Sequence, residues 1–157
     1  MLNKDVADFV SVKLPGAQII VSDDSTASSH QAAAAVGSDV ARIGKSVVFV
    51  SSERTAVVLI SAAKRVSRQK LREATGDPRL KVAGPETVFE RTGYAVGGVS
   101  PLVLPDGVET YVDAQLFELD AVWVSAGSPN SVVELTSAQL KELFGGRSLD
   151  LGEEAAG

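Results

Sequence analysis

Two seven-residue runs, KSVVFVS (45–51) and TAVVLIS (55–61), constrain this chain more than any other feature. Both are rich in β-branched residues, and each is too short for a buried helix. Only SER (52–54) separates them, so the spacing predicts a hairpin of two buried strands. A hairpin requires antiparallel pairing, which excludes a sheet made wholly of β-α-β crossovers. The class expected is therefore α/β with a mixed sheet rather than a doubly wound one.

Around this hairpin the sequence alternates short elements with clear stops. Val6, Phe9, Val10 and Leu14 predict a helix over 4–13, stopped by Pro15-Gly16. AQIIVS (17–22) reads as a strand. A helix is expected near 27–36, with Ser25 or Thr26 as N-cap and Gly37 just past its end. SRQKLREATG (67–76) and PETVFERTG (85–93) read as two short helices closed by glycine, the second opened by Pro85. PLVLP and ETYVD are expected to be extended pieces flanking the turn Pro105-Asp106-Gly107. DAVWVSAG (120–127) and SVVELT predict two more strands, and TSAQLKELFGG (136–146) a closing amphipathic helix capped by Thr136 or Ser137. The tail, LDLGEEAAG, is acidic and reads as frayed. No repeat or linker interrupts the 157 residues, so one domain over 1–157 is expected.

Composition removes several chemistries. The chain has no cysteine, which excludes disulfides and thiolate catalysis and fits a reducing cytoplasm. No apolar stretch approaches the roughly 20 residues of a membrane span, and Asp5 and Asp8 interrupt any signal-peptide core, so a soluble protein is expected. With one histidine, His30, a zinc site or a Ser-His-Asp triad is disfavoured. No metal and no organic cofactor are expected. IGKS (43–46) lacks the upstream glycine of a P-loop, and GYAVGG does not match G-x-G-x-x-G.

The net charge of −5 argues against a general nucleic-acid coat protein. Its distribution is uneven. Arg54, Lys64, Arg65, Arg68, Lys70 and Arg72 follow one another with no acid among them. That run reads either as a solvated helix face or as a phosphate-binding patch. Lys45, at the start of an apolar strand, either snorkels at a sheet end or serves a site. The loops TGYAVGGVSP (92–101) and SAGSPNS (125–131) either make tight turns or present backbone N–H groups to an oxygen.

In their order, IGKSVVF, TGYAVGGVSP, YVDAQL and VWVSAG resemble the YbaK family of aminoacyl-tRNA deacylases. These are relatives of the editing domain inserted in bacterial prolyl-tRNA synthetases. The resemblance runs from about residue 17 to 144. It implies a largely antiparallel, barrel-like mixed sheet with helices packed outside. It also implies hydrolysis of the ester joining a wrong amino acid to tRNA, usually tRNA(Pro), without metal or cofactor. Lys45 and the loop Gly97-Gly98-Val99-Ser100-Pro101 match the family's lysine and G-x-x-x-P loop. The N–H groups from Gly97 to Ser100 would hold the ester carbonyl oxygen, and Lys45 would act either as a cation that positions the substrate, the favoured role, or as a general base if burial lowers its pKa to about 7–8. Ser125, in VSAG with Gly127, matches a pocket serine, and Ser46 stands where members often carry threonine. Val21 and Val132 stand near positions that are tyrosine and aspartate in the cysteine-specific branch. A small neutral amino acid is therefore expected rather than cysteine alone. The basic run, Arg54, Lys64, Arg65 and Arg68 above all, would contact acceptor-stem phosphates. The protein would act as a monomer or weak homodimer, delivered to tRNA with or without prolyl-tRNA synthetase. The competing readings are a non-catalytic aminoacyl-tRNA or nucleotide-binding module, and an unrelated small-molecule hydrolase.

Overall fold

A computed structural model describes residues 3–23 and 28–154. The predicted hairpin is its centre. Strand β2 (Gly44–Val50) pairs antiparallel with β3 (Thr55–Ser61) in a register running from Gly44 opposite Ser61 to Val50 opposite Thr55. Three further strands complete this sheet. Strand β5 (Lys81–Val82) pairs only with Phe49 and Val50, while β6 (Glu109–Asp113) and then β9 (Ser148–Leu149) extend the far side in parallel, giving the order β5-β2-β3-β6-β9. A second sheet, β1-β8-β7, is antiparallel throughout and uses β1 (Ile19–Val21), β7 (Ala121–Ser125) and β8 (Ser131–Thr136). Strands β4 (Lys64–Val66) and β10 (Gly152–Glu154) form a separate antiparallel ribbon.

Mixed, mainly antiparallel pairing was the expectation, and the structure has it. Closure into a barrel is not found among the described residues. The two sheets are joined by backbone pairing only at an isolated parallel bridge from Ile43, just before β2, to Trp123 of β7, with Gly44 packed against Val122 and Trp123. The space between the two sheets beyond this bridge forms a cavity.

The central hairpin is apolar on both faces because it is buried on both. Val48, Val50, Val57 and Leu59 join the larger core with Val122, Val124, Val133 and Leu135 of the second sheet. The alternate residues, Phe49, Val58 and Ile60, pack on Leu71, Leu80 and Leu151. Burial on two faces is what a continuous β-branched run, rather than an alternating one, encodes.

Among the described residues five α-helices cover the sheets: α1 (Lys4–Lys13), α2 (Ser29–Val36), α3 (Arg68–Thr75), α4 (Pro85–Thr92) and α5 (Ser137–Phe144). Their starts follow capping chemistry. Asn3, Ser67 and Thr136 accept backbone N–H bonds at the first turns of α1, α3 and α5. The caps expected for α2, Ser25 and Thr26, lie outside the described residues. The cap found is Ser28, which forms a capping box with Gln31. Among the described residues no helix is long and apolar enough to cross a membrane.

Two expectations need correction. PLVLP is a bent coil rather than a strand. Local bonds take its backbone groups: the Tyr94 hydroxyl donates to the Val103 carbonyl, and the Leu102 N–H donates to Ser100 Oγ. The tail is not frayed through Glu154. Leu151 is fully buried in the second core, and the Leu151 and Gly152 N–H groups donate to Asp113 Oδ1 at 3.0 and 3.2 Å. Two leucines, Leu149 and Leu151, in a short acidic segment carried too little periodicity to reveal this anchor.

Candidate active site

Strand β2 builds one wall of a cavity of about 350 Å³. The Ala83 N–H donates to the Val48 carbonyl at 2.9 Å, so the backbone groups of even-numbered residues of β2 point to the β5 edge. Strand β5 ends there. Gly44 meets β7 at Val122 and Trp123, and Ser46, beyond the end of β5, borders the cavity. The Ser46 hydroxyl oxygen is buried and has no hydrogen-bond partner among the described residues. A buried polar atom in this condition is the exception in proteins, and a bound water, an ion or a ligand group satisfies it. Lys45 lies on the cavity border as well, and burial lowers its ammonium pKa below the usual 10.5.

The glycine-rich loop forms the opposite lip. Helix α4 ends at Gly93, and the next residue, Tyr94, is buried as the peg of the loop. Burial, with a smaller contribution from the Asp5 carboxylate, pushes the Tyr94 hydroxyl up to about 12, so it stays a donor to Val103 at physiological pH. A turn follows in which the Gly98 N–H donates to the Ala95 carbonyl at 2.9 Å. Gly97 sits at φ +85°, a conformation that strongly favours glycine. Gly98 is fixed by proximity instead. A Cβ there would lie 3.0 Å from the Ser128 carbonyl carbon and 3.1 Å from Pro129 N. The loop is thus braced against the SAGSPN turn behind it.

This turn changes the expected donor set. Gly98 is already committed to Ala95, so its N–H is not offered to a substrate. The N–H groups of Gly97, Val99 and Ser100 have no partner among the described residues. Gly97 and Val99 line the cavity, whereas Ser100 and Pro101 are buried behind it.

Strands β7 and β8 supply the third wall. Ser125 and Val132 are register partners, and both line the cavity beside Trp123. Ser125 Oγ accepts the Gly127 N–H at 3.1 Å, which leaves its own hydrogen free to donate. Gly127 itself packs on Asn3 rather than on the cavity. Val21 is 50% exposed on β1 and lies outside the cavity lining. From the sequence the 23–30 segment reads either as a pocket entrance or as a plain polar loop, and its Ser28 and Ser29 line the cavity; sequence reasoning missed Ala32 of α2, Trp123, and the exposed valines Val82 and Val96 at the border. A lone tryptophan on a strand was the one available signal.

The basic run divides in space. Arg54 pairs with Glu109 at 2.8 Å and donates to the Thr75 carbonyl, at the turn end of the hairpin away from Lys45. Arg72 donates to the Leu80 carbonyl. The acidic tail meets the rest: Lys64 with Glu154, Arg65 with Glu153, and Lys70 with Asp150. Arg68 has no partner among the described residues. It lies with Lys45, Arg65 and Glu153 along a polar groove of about 540 Å³. Among the described residues no cluster of histidine and carboxylate side chains could hold a metal.

Comparison with known proteins bears on this site. The pattern of the aminoacyl-tRNA editing domain matches residues 23–143. The chain is 36% identical over 122 residues to "Uncharacterized protein YwhH" of Bacillus subtilis (strain 168), covering 76% of each protein. It is 27% identical over 125 residues to "Putative Cys-tRNA(Pro)/Cys-tRNA(Cys) deacylase EbsC" of Enterococcus faecalis (strain ATCC 700802 / V583), covering 74% of this chain and 76% of that one. The solved structure of "a putative trans-editing enzyme for prolyl tRNA synthetase" matches with a TM-score of 0.84 and 31% identity, over 98% of this chain and 99% of that one.

Proposed function

Because this chain belongs to the aminoacyl-tRNA editing domain family, we propose that it deacylates mischarged tRNA in trans, as an ester hydrolase without metal or cofactor. The substrate is tRNA(Pro) carrying a small neutral amino acid such as alanine, serine or cysteine. One observation carries this reading. Gly97 and Val99, whose N–H groups have no partner among the described residues, and the Ser46 hydroxyl line one largely apolar cavity, and the Lys45 cation stands at its border with the groove. These are the groups that an amino acid held as an ester to ribose would satisfy.

In this reading the aminoacyl carbonyl oxygen lies at the glycine loop. Water, or the ribose 2′-hydroxyl assisting it, attacks the carbonyl carbon. Negative charge grows on the oxygen, and the loop N–H groups stabilise it; losing one such donor typically costs about 10²–10³ in rate. The C–O bond to ribose then breaks, and the ribose oxygen takes up a proton. An ester is already activated, so no covalent nucleophile is needed. Lys45 acts as a positioning cation for the terminal nucleotide, since a lysine is a general base at neutral pH only if its pKa falls to about 7–8. Ser46 and Ser125 hydrogen-bond the amino acid or ribose. Val132 leaves that wall apolar, which suits a small side chain.

The test is release of labelled amino acid from a panel of mischarged tRNA(Pro) species, with Lys45→Ala in parallel. Rapid release from one or two species, lost in the variant, is expected. Binding of tRNA without release from any species would replace this reading with that of a non-catalytic module.

A further inference from the structure

The ribbon of β4 and β10 sets Glu153 opposite Arg65 and Glu154 opposite Lys64. Side chains alternate along a strand, so these two ion pairs lie on opposite faces of the ribbon. Arg65 and Glu153 face the groove beside Lys45, together with Arg68. Lys64 faces a separate hollow, shared with Asp113, Gln115 and Asp150. The groove therefore holds three cations and one carboxylate. It is continuous with the apolar cavity, because Lys45, Val47 and Val82 line both. An aminoacyl ester in the cavity brings its RNA strand to this border, and the groove is the adjoining surface whose charge suits phosphodiesters.

We propose that Lys45, Arg65 and Arg68 dock the backbone of the single-stranded acceptor end in this groove, and that Glu153 is a resident competitor which an incoming phosphate displaces from Arg65. The inference rests on the reading that an RNA acceptor end is the substrate. The Arg65–Glu153 pair is built to yield. Its 2.9 Å contact joins side chains that are 55% and 42% exposed, a setting in which ion pairs add little stability. Glu153 thus lowers the affinity of the groove without locking it. An acidic protein with this device holds RNA weakly unless a phosphate is placed next to Lys45.

The two carboxylates of β10 provide the experiment. Each substitution, Glu153→Gln and Glu154→Gln, removes one negative charge, on opposite faces of the same ribbon. Binding of a short uncharged RNA ending in single-stranded CCA is measured by fluorescence anisotropy across a salt series. Glu153→Gln is expected to bind about three-fold tighter at low salt, with a salt slope steeper by about 0.7. Glu154→Gln is expected to match wild type, and Arg68→Ala to bind more weakly with a shallower slope. Equal tightening by both glutamine variants would show a bulk charge effect and overturn the competitor role. No change in Glu153→Gln, or no binding by wild type, would overturn it as well. The deacylase reading fails separately, by absence of amino-acid release from wild type.

Discussion

Two neighbours on strand β2, Lys45 and Ser46, point to opposite sides of one sheet and meet different worlds. Ser46 shares its face with Val48 and Val50, beside the larger core and an apolar cavity. Lys45 shares its face with Val47 and Phe49, beside the second core and a polar groove lined by Arg65, Arg68 and Glu153. Strand alternation alone creates this division. One strand edge can thereby hold a small, weakly polar group on one side and a phosphate-bearing chain on the other. In the proposed reading, the ester lies where the two spaces join.

The sharpest way to break this comparison is to remove its junction. Lys45→Ala is expected to lower kcat/KM for deacylation by about 10²–10³, the scale of a lost transition-state contact. Lys45→Arg should retain most activity if the charge positions substrate. Burial lowers the Lys45 pKa, so its cation is lost at a pH below the usual 10.5. Corrected for uncatalysed ester hydrolysis, activity should fall on the alkaline side below pH 10.5, and the fall should move to higher pH in Lys45→Arg. If Lys45→Arg is as inactive as Lys45→Ala, and wild-type rate rises with an apparent pKa near 7, the lysine is a base instead. The same shift bears on folding. The folded state disfavours the charged form, so this residue opposes folding at neutral pH. That opposition is relieved as pH rises from the lowered value toward 10.5.

On the groove side, Leu151→Ala should destabilise the fold by about 2–5 kcal/mol, the usual cost of truncating a buried leucine. Urea unfolding measures this, and a loss below about 0.5 kcal/mol would return the tail to the frayed state its composition suggests. On the cavity side, Gly98→Ala forces a methyl against the Ser128–Pro129 backbone and displaces the donor loop. A drop in kcat of about ten- to 100-fold is expected, with KM little changed, in single-turnover deacylation. The smallest effect has the most informative sign. Ser46→Ala removes an orphaned hydroxyl, so the free protein should be unchanged or more stable by about 1 kcal/mol, while deacylation weakens. A destabilised Ser46→Ala would mean that the hydroxyl already has a partner in the free protein.

How much of this was legible in the chain follows from the range of each cause. Two apolar runs separated by three residues dictate a hairpin by themselves, because strand pairing across a short turn is local. Pro85 and Gly93 bound α4 for equally local reasons, fixed φ at the start and a left-handed glycine at φ +79° at the end. The order of Lys45, the glycine loop and VSAG was enough to mark the family, since that order survives without coordinates. The exact donors were not legible. Whether Gly98 offers its N–H or spends it on Ala95 depends on a turn that four consecutive small residues leave open. Nor was the fate of the charges. Arg65 and Glu153 are 88 positions apart, and no window along the sequence sees both. Local periodicity, turn chemistry and composition were settled by sequence alone, because neighbours in the chain cause them. The split cavity, the orphaned Ser46 and the acid laid over the basic run were decided by tertiary structure, because long-range packing alone fixes which polar groups lose water and which find partners.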